Sequence, residues 1–355
     1  MNFAQLRNVR MEGIAASVPS RIAYNRDCEL IPERERDLFI RSTGIASRRV
    51  AAPGTCTSDL CVQAAEELMQ SLGWHATEVR IIVLVTQTPD HITPSTAALI
   101  QSRLGCTTDC AAFDVNLGCS GYVYGLWTVA SLLQGMPDGS KALLLAGDVS
   151  TACISPNDRS TVPLFSDAGS ATALVKDESH PAPLNFALST NGAAKEAIWI
   201  PEGGYRKPFN PESLDTENHG GGIVRRPIDL ILNGIDVYQH AAQSWPQQVT
   251  GLSGHVGVPM EKVTHAVFHQ ANRVINEMVR KRSGLSEAQT ANSLQDLGNS
   301  GTASIPVTLA HCLRNELCNT SGTLLLSGFG VGLSWATLIA DFGPMKSVIW
   351  CEYPD

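Results

Sequence analysis

A cysteine and an asparagine hold the same place in two nearly identical stretches of this chain. LGCSG spans Leu117–Gly121 and LGNSG spans Leu297–Gly301, so the central residues lie 299 − 119 = 180 positions apart. Cys119 falls where a strand-like segment, AAFDVN, gives way to an apolar, helix-like run. Flanking glycines allow a tight turn and close approach of a substrate, and the free amides of a helix N-terminus favour thiolate over thiol. Cys119 is therefore read as a nucleophile, against a background in which most of the ten cysteines are small buried apolar groups. Asn299 offers an amide that donates hydrogen bonds without ionising; a turn asparagine in a left-handed conformation is the competing reading. His269, in FHQAN, ends a predicted strand where a helix begins. A lone histidine there is also compatible with a satisfied polar group, and only the repeat register draws it toward Cys119.

The elements that position these residues repeat with them. After LGCSG, YVYGLWTVASLLQG carries Val123, Leu126, Trp127, Ala130 and Leu133 on a helical period and stops at Gly135. TASIPVTLAHCL follows LGNSG in the same way. Next come KALLLAGDVS and GTLLLSGFGVG, short apolar runs that read as buried strands. Upstream, VRIIVLVTQTPDH from Val79 and VTHAVFHQAN from Val263 stand 263 − 79 = 184 positions apart. Each precedes a helix, over Ser95–Gly105 in one half and VINEMVRKRSG in the other. Alternating strands and helices predict a mostly parallel sheet in each half, with the equivalent turns facing one another between the halves. The division is 1–185, an irregular excursion 186–237 and 238–355. The excursion, rich in Gly, Pro, Asn and charge, is read as a lid or tunnel wall, with plain surface decoration as the alternative.

Composition narrows the function classes. With 43% hydrophobic and 17% charged residues the sequence describes a globular protein, and its formal charge of −8 argues against a general nucleic-acid binder. There is no apolar run of the ~20 residues a membrane helix needs, and MNFAQLRNVRMEG lacks a signal-peptide core, so a cytoplasmic, reducing setting is expected. CTTDC (Cys106, Cys110) has no companion ligand pair, and no metal is expected.

AFDVNLGCSGYVYGL, VFHQAN, LGNSGTASIPVTL and GFGVGLSWA, together with STGIASRRVA, TPSTAALIQSRLG and DRSTVPLFSDAGSATAL, resemble the thiolase-fold condensing enzymes, specifically β-ketoacyl-[acyl-carrier-protein] synthase III. The resemblance covers essentially the whole chain, with a longer excursion over 193–228. It implies an α/β thiolase-like fold, two pseudo-equivalent βαβαβ halves in five α-β-α-β-α layers. It also implies a catalytic set of Cys119, His269 and Asn299, with an oxyanion site built from the backbone of Cys119 and Val331. The reaction implied is a decarboxylative Claisen condensation of an acyl primer, held on Cys119, with a malonyl thioester on acyl carrier protein. The setting would be fatty-acid initiation or a specialised pathway, in a homodimer without a bound cofactor.

Elsewhere the pattern shifts. Arg159 matches one half of the adenine clamp for CoA, but the tryptophan position reads Leu38 or Phe39 and a nearby arginine becomes Ser42 or moves to Arg41. Leucine offers no aromatic face. Gln270, Asn272, Arg273 and Arg280, with Lys281 and Arg282, form an expected phosphopantetheine and carrier-protein surface, or else a solvated helix face. Thr93, or Ile92, takes the place of a phenylalanine expected to close the acyl pocket from the partner subunit, which leaves room for a longer or branched chain. Two alternatives stand beside condensation. Cys119 could pass its acyl group to an oxygen or nitrogen nucleophile, or the chain could be a non-catalytic partner subunit.

Overall fold

The computed structural model describes residues 2–354. The first half supplies strands β1 (Asn2–Leu6), β2 (Val9–Pro19), β3 (Ile22–Tyr24), β4 (Ser47–Arg49), β5 (Val79–Val85), β6 (Ala111–Val115), β7 (Lys141–Asp148) and β8 (Ala168–Lys176). Its helices are α1 (Glu33–Thr43), α2 (Thr57–Leu72), α3 (Thr96–Arg103) and α4 (Gly121–Leu133). Then follow β9 (Leu184–Thr190), β10 (Ile198–Trp199), β11 (Glu217–Asn218), β12 (Val224–Arg225), β13 (Ile231–Leu232) and the long helix α5 (Gly234–Val256). The second half continues with β14 (Val263–Phe268), α6 (Arg273–Arg282), β15 (Thr290–Ala291), α7 (Leu294–Leu297), α8 (Ser304–Cys312), α9 (Arg314–Asn319), β16 (Gly322–Gly330), β17 (Ser334–Phe342) and β18 (Ser347–Tyr353).

Two six-stranded sheets form the body, ordered β18-β2-β8-β7-β5-β6 and β1-β9-β17-β16-β14-β15. The inner five positions match, as a duplicated unit requires, while the edge differs, β18 running parallel to β2 and β1 antiparallel to β9. Both are mixed rather than mostly parallel: β5, β6 and β7 run parallel, as do β14, β15 and β16, while β7–β8 and β16–β17 are antiparallel. No crossover helix follows β7 or β16, so the chain returns along the neighbouring strand in the opposite direction. Helices α4 and α8 lie between the sheets, α2 and α3 cover the first from outside, and α5 and α6 cover the second, which makes five layers.

The central helices are apolar nearly all round because each faces a sheet on both sides. Val123, Leu126, Val129 and Leu133 of α4 and Ile305, Val307 and Leu309 of α8 are fully buried in one cluster with both sheets. Truncating such a leucine to alanine costs about 2–5 kcal/mol. Rigid packing of α4 and α8 fixes their first turns, which adjoin Cys119 and Asn299.

The division at 185/186 falls inside β9, which pairs with β17 of the second sheet. The chain ends are also exchanged: β1 pairs with β9 in the second sheet, and β18 pairs with β2 in the first. Short edge strands carry little periodicity, so this exchange leaves no mark in the sequence pattern. Within the excursion, the β10–β13 ribbon lies against the body while Tyr205 and Phe209 at the tip are exposed. No helix among the described residues is long and apolar enough to cross a membrane.

Candidate active site

Cys119, His269 and Asn299 line a single cavity of about 640 Å³. The cysteine lies just before α4, whose first residue is Gly121. The turn between β16 and β17 covers it: a Cβ built on Gly330 would sit 2.5 Å from both Cβ and Sγ of Cys119, so only glycine fits there. Ser120 Oγ and Ser334 Oγ are 2.7 Å apart, and Ser334 Oγ donates to the Val331 carbonyl at 2.8 Å, which ties the two turns together. Backbone amides of Val331 and of Cys119 itself reach the thiol, as an oxyanion site requires.

The expected bias toward thiolate is not what this site provides. Burial pushes the Cys119 thiol up to about 12, with the Asp148 carboxylate adding to the shift and the two amides opposing it. Desolvation penalises the thiolate more than one helix terminus and two amides reward it. At pH 7 Cys119 is a thiol.

His269 follows β14 and is 1% exposed. Burial holds its pKa down at about 3, and the Gly301 backbone offsets only part of that. The ring is therefore neutral at pH 7. Its Nδ1 lies 2.7 Å from Ser304 Oγ, and that oxygen already accepts from the Gln270 amide at 3.4 Å. With the Ser304 hydroxyl facing Nδ1, the tautomer that accepts there carries its ring hydrogen on Nε2.

Asn299 is pinned on both backbone sides, donating to the Leu164 carbonyl at 2.9 Å and accepting from the Ser166 amide at 2.8 Å. Its Oδ1 accepts from the Gly301 amide at 3.0 Å, so the side-chain NH2 is the end left for a ligand. The left-handed backbone belongs to its neighbours, Gly298 (φ 55°) and Gly301 (φ 54°), and not to the asparagine.

The remaining predicted residues divide. Asn272 lines the cavity while capping α6, its Oδ1 accepting from the Ile275 amide at 3.0 Å. Arg159 reaches α1, where its Nη2 donates to Glu35 Oε2 at 2.7 Å; Leu38 is exposed on the same helix. Gln270 is a structural residue instead of part of a docking surface. It is 1% exposed, with its side chain donating to the Phe268 carbonyl and accepting from the Ser293 amide. Arg280 is also withdrawn from that surface. It is 7% exposed, donating to Glu277 at 2.7 Å and to the Leu285 carbonyl at 2.8 Å. Seven residues do bring Arg273 and Arg280 to one side of a helix, but the turn after α6 folds over the second of them. Arg273, Lys281 and Arg282 remain exposed. Ile92 and Thr93 lie on an exposed loop between β5 and α3 and do not line this chain's cavity.

Sequence reasoning passed over several contributors. Ile198, Trp199, Leu230 and Leu232, from the base of the excursion, form one wall of the cavity. Asp148 ends β7 as a fully buried carboxylate. The signal for it was present, because a charged residue closing the apolar run KALLLAG has to be paired.

Similarity to known proteins agrees with this architecture. Residues 113–192 match the family described as 3-oxoacyl-[acyl-carrier-protein (ACP)] synthase III, and residues 255–342 match the C-terminal part of the same family. A β-ketoacyl-[acyl-carrier-protein] synthase III of Chlamydia caviae is 31% identical over 96% of this chain and 98% of its own. The acetoacetyl CoA synthase NphT7 of a Streptomyces species is 34% identical over 92% of this chain and 96% of its own. A crystal structure of a 3-oxoacyl-(acyl-carrier protein) synthase from Burkholderia xenovorans superposes with a TM-score of 0.92, at 31% identity and 99% coverage of both chains. The five layers and the paired turns define a thiolase-fold condensing enzyme, of the acyltransferase class. More narrowly, the chain belongs to the β-ketoacyl-[acyl-carrier-protein] synthase III family.

Proposed function

We propose that the protein joins an acyl primer to a malonyl unit by decarboxylative Claisen condensation, with Cys119, His269 and Asn299 as its catalytic residues. The carrying observation is their convergence on one cavity with two backbone amides aimed at the thiol. Cys119 loses its proton as it attacks the primer thioester, and the amides of Cys119 and Val331 hold the tetrahedral oxyanion. The carrier thiol leaves, and the acyl group stays on sulfur. When malonyl thioester follows, loss of CO2 places negative charge on its thioester oxygen. His269 Nε2–H and the Asn299 NH2 donate to that oxygen, and neutral donors suit the task because neither has to give up a proton. The carbanion then attacks the acyl carbon and Cys119 leaves.

The apolar wall from the excursion favours a primer longer or bulkier than acetyl, and the small Thr93, contributed by a second copy of the chain, agrees with this. Carrier protein is the proposed malonyl donor, meeting Arg273, Lys281 and Arg282. Arg159 is held by Glu35 on α1, where Leu38 is exposed and Phe39 half-buried, which makes a stacked CoA adenine a weaker fit. Intact-protein mass spectrometry after offering acyl-CoA and acyl-carrier thioesters of two to ten carbons tests the proposal. Mass added at Cys119 and CO2 released with malonyl-carrier are expected. Acylation followed by transfer to water, alcohol or amine without CO2 release would overturn it, and an enzyme that takes acetyl but rejects six- to ten-carbon primers would overturn the pocket assignment. A monomer by light scattering would remove the role of Thr93.

A further inference from the structure

Asp148 is 2% exposed and receives four hydrogen bonds, all from donors. Its two oxygens divide them by origin. Oδ1 accepts from the Gln87 amide at 2.7 Å and from Thr86 Oγ1 at 3.1 Å, both just beyond β5 in the first half. Oδ2 accepts from the Thr302 amide at 2.8 Å and from Thr302 Oγ1 at 2.5 Å, in the turn that leads to α8. We infer that Asp148 is a positioning residue that sets the spacing between the nucleophile turn and the amide turn, one carboxylate oxygen serving each half. This rests on the condensation reading above.

Contacts run from Asp148 to both reacting turns. On one side the Gln87 side chain packs against Gly118, where a Cβ would have to displace its amide. On the other, a Cβ on Gly301 would lie 3.2 Å from Asp148 Cβ, so the turn rests directly on the aspartate. The Gly301 amide in turn holds Asn299 Oδ1 at 3.0 Å, and its backbone borders the His269 ring. Thr302 touches the cysteine turn only through a longer contact, its Oγ1 lying 3.4 Å from the Leu117 carbonyl, so moving Thr302 acts first on the donors that face the enolate and only secondarily on the thiol. Oriented donors lose their advantage over displacements of about 1 Å. Burial alone raises the Asp148 pKa, and the four donors oppose that, as expected where an anion is held for its geometry.

The experiment separates two half-reactions: acylation of Cys119, followed by mass, and CO2 release from malonyl-carrier by pre-acylated enzyme. Thr302→Val removes one hydroxyl donor but keeps the amide and the branched shape. It is expected to leave acylation within about threefold and to slow CO2 release about ten- to a hundredfold, the range seen when groups that orient a site's ligands are removed. Thr302→Ser, which restores the hydroxyl, is expected to return CO2 release to near wild type. Asp148→Ala, which removes both oxygens, is expected to slow both steps. Equal loss in both half-reactions for Thr302→Val, or no loss in either, would overturn the inference. A wild-type enzyme that acylates but releases no CO2 fails at the earlier step, and then the condensation reading falls together with this one.

Discussion

Gly118 and Gly121, beside Cys119, have ordinary negative φ, whereas Gly298 and Gly301, beside Asn299, are left-handed. The first pair is glycine because of space: a Cβ on Gly121 would come within 2.6 Å of Val85 and 3.3 Å of Thr302. The second pair is held to glycine by backbone as well as space: a left-handed residue with a Cβ costs roughly 1–2 kcal/mol, and a Cβ on Gly301 would also lie 3.2 Å from Asp148 Cβ. The exits differ too. The cysteine turn enters α4 directly at Gly121, while the asparagine turn passes through a 3-10 turn at Gly301–Ala303 before α8 begins. A duplicated pentapeptide has thus diverged in backbone as well as in its central side chain. One turn encloses a sulfur between a helix start and Gly330, and the other twists an amide outward.

Substitutions can break or sharpen this contrast. Cys119→Ala should abolish both half-reactions, a loss of more than about a thousandfold, with no acyl mass on the protein; residual condensation would end the comparison outright. Asn299→Ala should slow CO2 release by about 100- to 1,000-fold and leave Cys119 acylation nearly intact, the cost typical of one lost oxyanion donor. Smaller effects follow from the titrating groups. With the thiol pushed up to about 12, the thiolate fraction should climb about tenfold per pH unit from 7 to 10. Iodoacetamide labelling at Cys119 should rise with it, and a plateau below pH 9 would contradict the buried setting. The smallest effect concerns stability. His269 has a pKa of about 3 when folded, against 6.5 as its ordinary value. Between those values the unfolded chain holds the extra proton, so stability falls as pH drops from 6.5 toward 3. Wild type should therefore lose melting temperature more steeply than His269→Gln across that window.

The strands after Val79, Val263, Lys141 and Gly322 and the helices after both glycine turns could be read from the chain, because long apolar runs and helical periods survive in one dimension. So could the convergence of Cys119, His269 and Asn299, since register alone implies that equivalent turns meet. The antiparallel partners β8 and β17 were missed as a class, because direction depends on whether a crossover helix intervenes. Gln270 and Arg280 misled for a different reason. Their side chains are polar and suit a surface, but Gln270 is consumed by the Phe268 carbonyl and the Ser293 amide, and Arg280 by Glu277 and the Leu285 carbonyl, partners that only the folded chain brings to them. The thiol's pKa was misjudged because a helix terminus is visible in sequence and burial is not.

The exchanged terminal strands have a consequence for biosynthesis. β18 closes one edge of the first sheet, yet its residues, 347–353, come after the whole of the second half in the chain. A nascent chain that has already built α4 and the Cys119 turn still leaves the outer edge of β2 open, its amides and carbonyls available to any passing strand. The N-terminal half therefore cannot finish as a free-standing module during translation, and expressing the two halves as separate genes would strand each without an edge that the other carries. Each sheet is whole only when β1 and β18 have crossed to the other half.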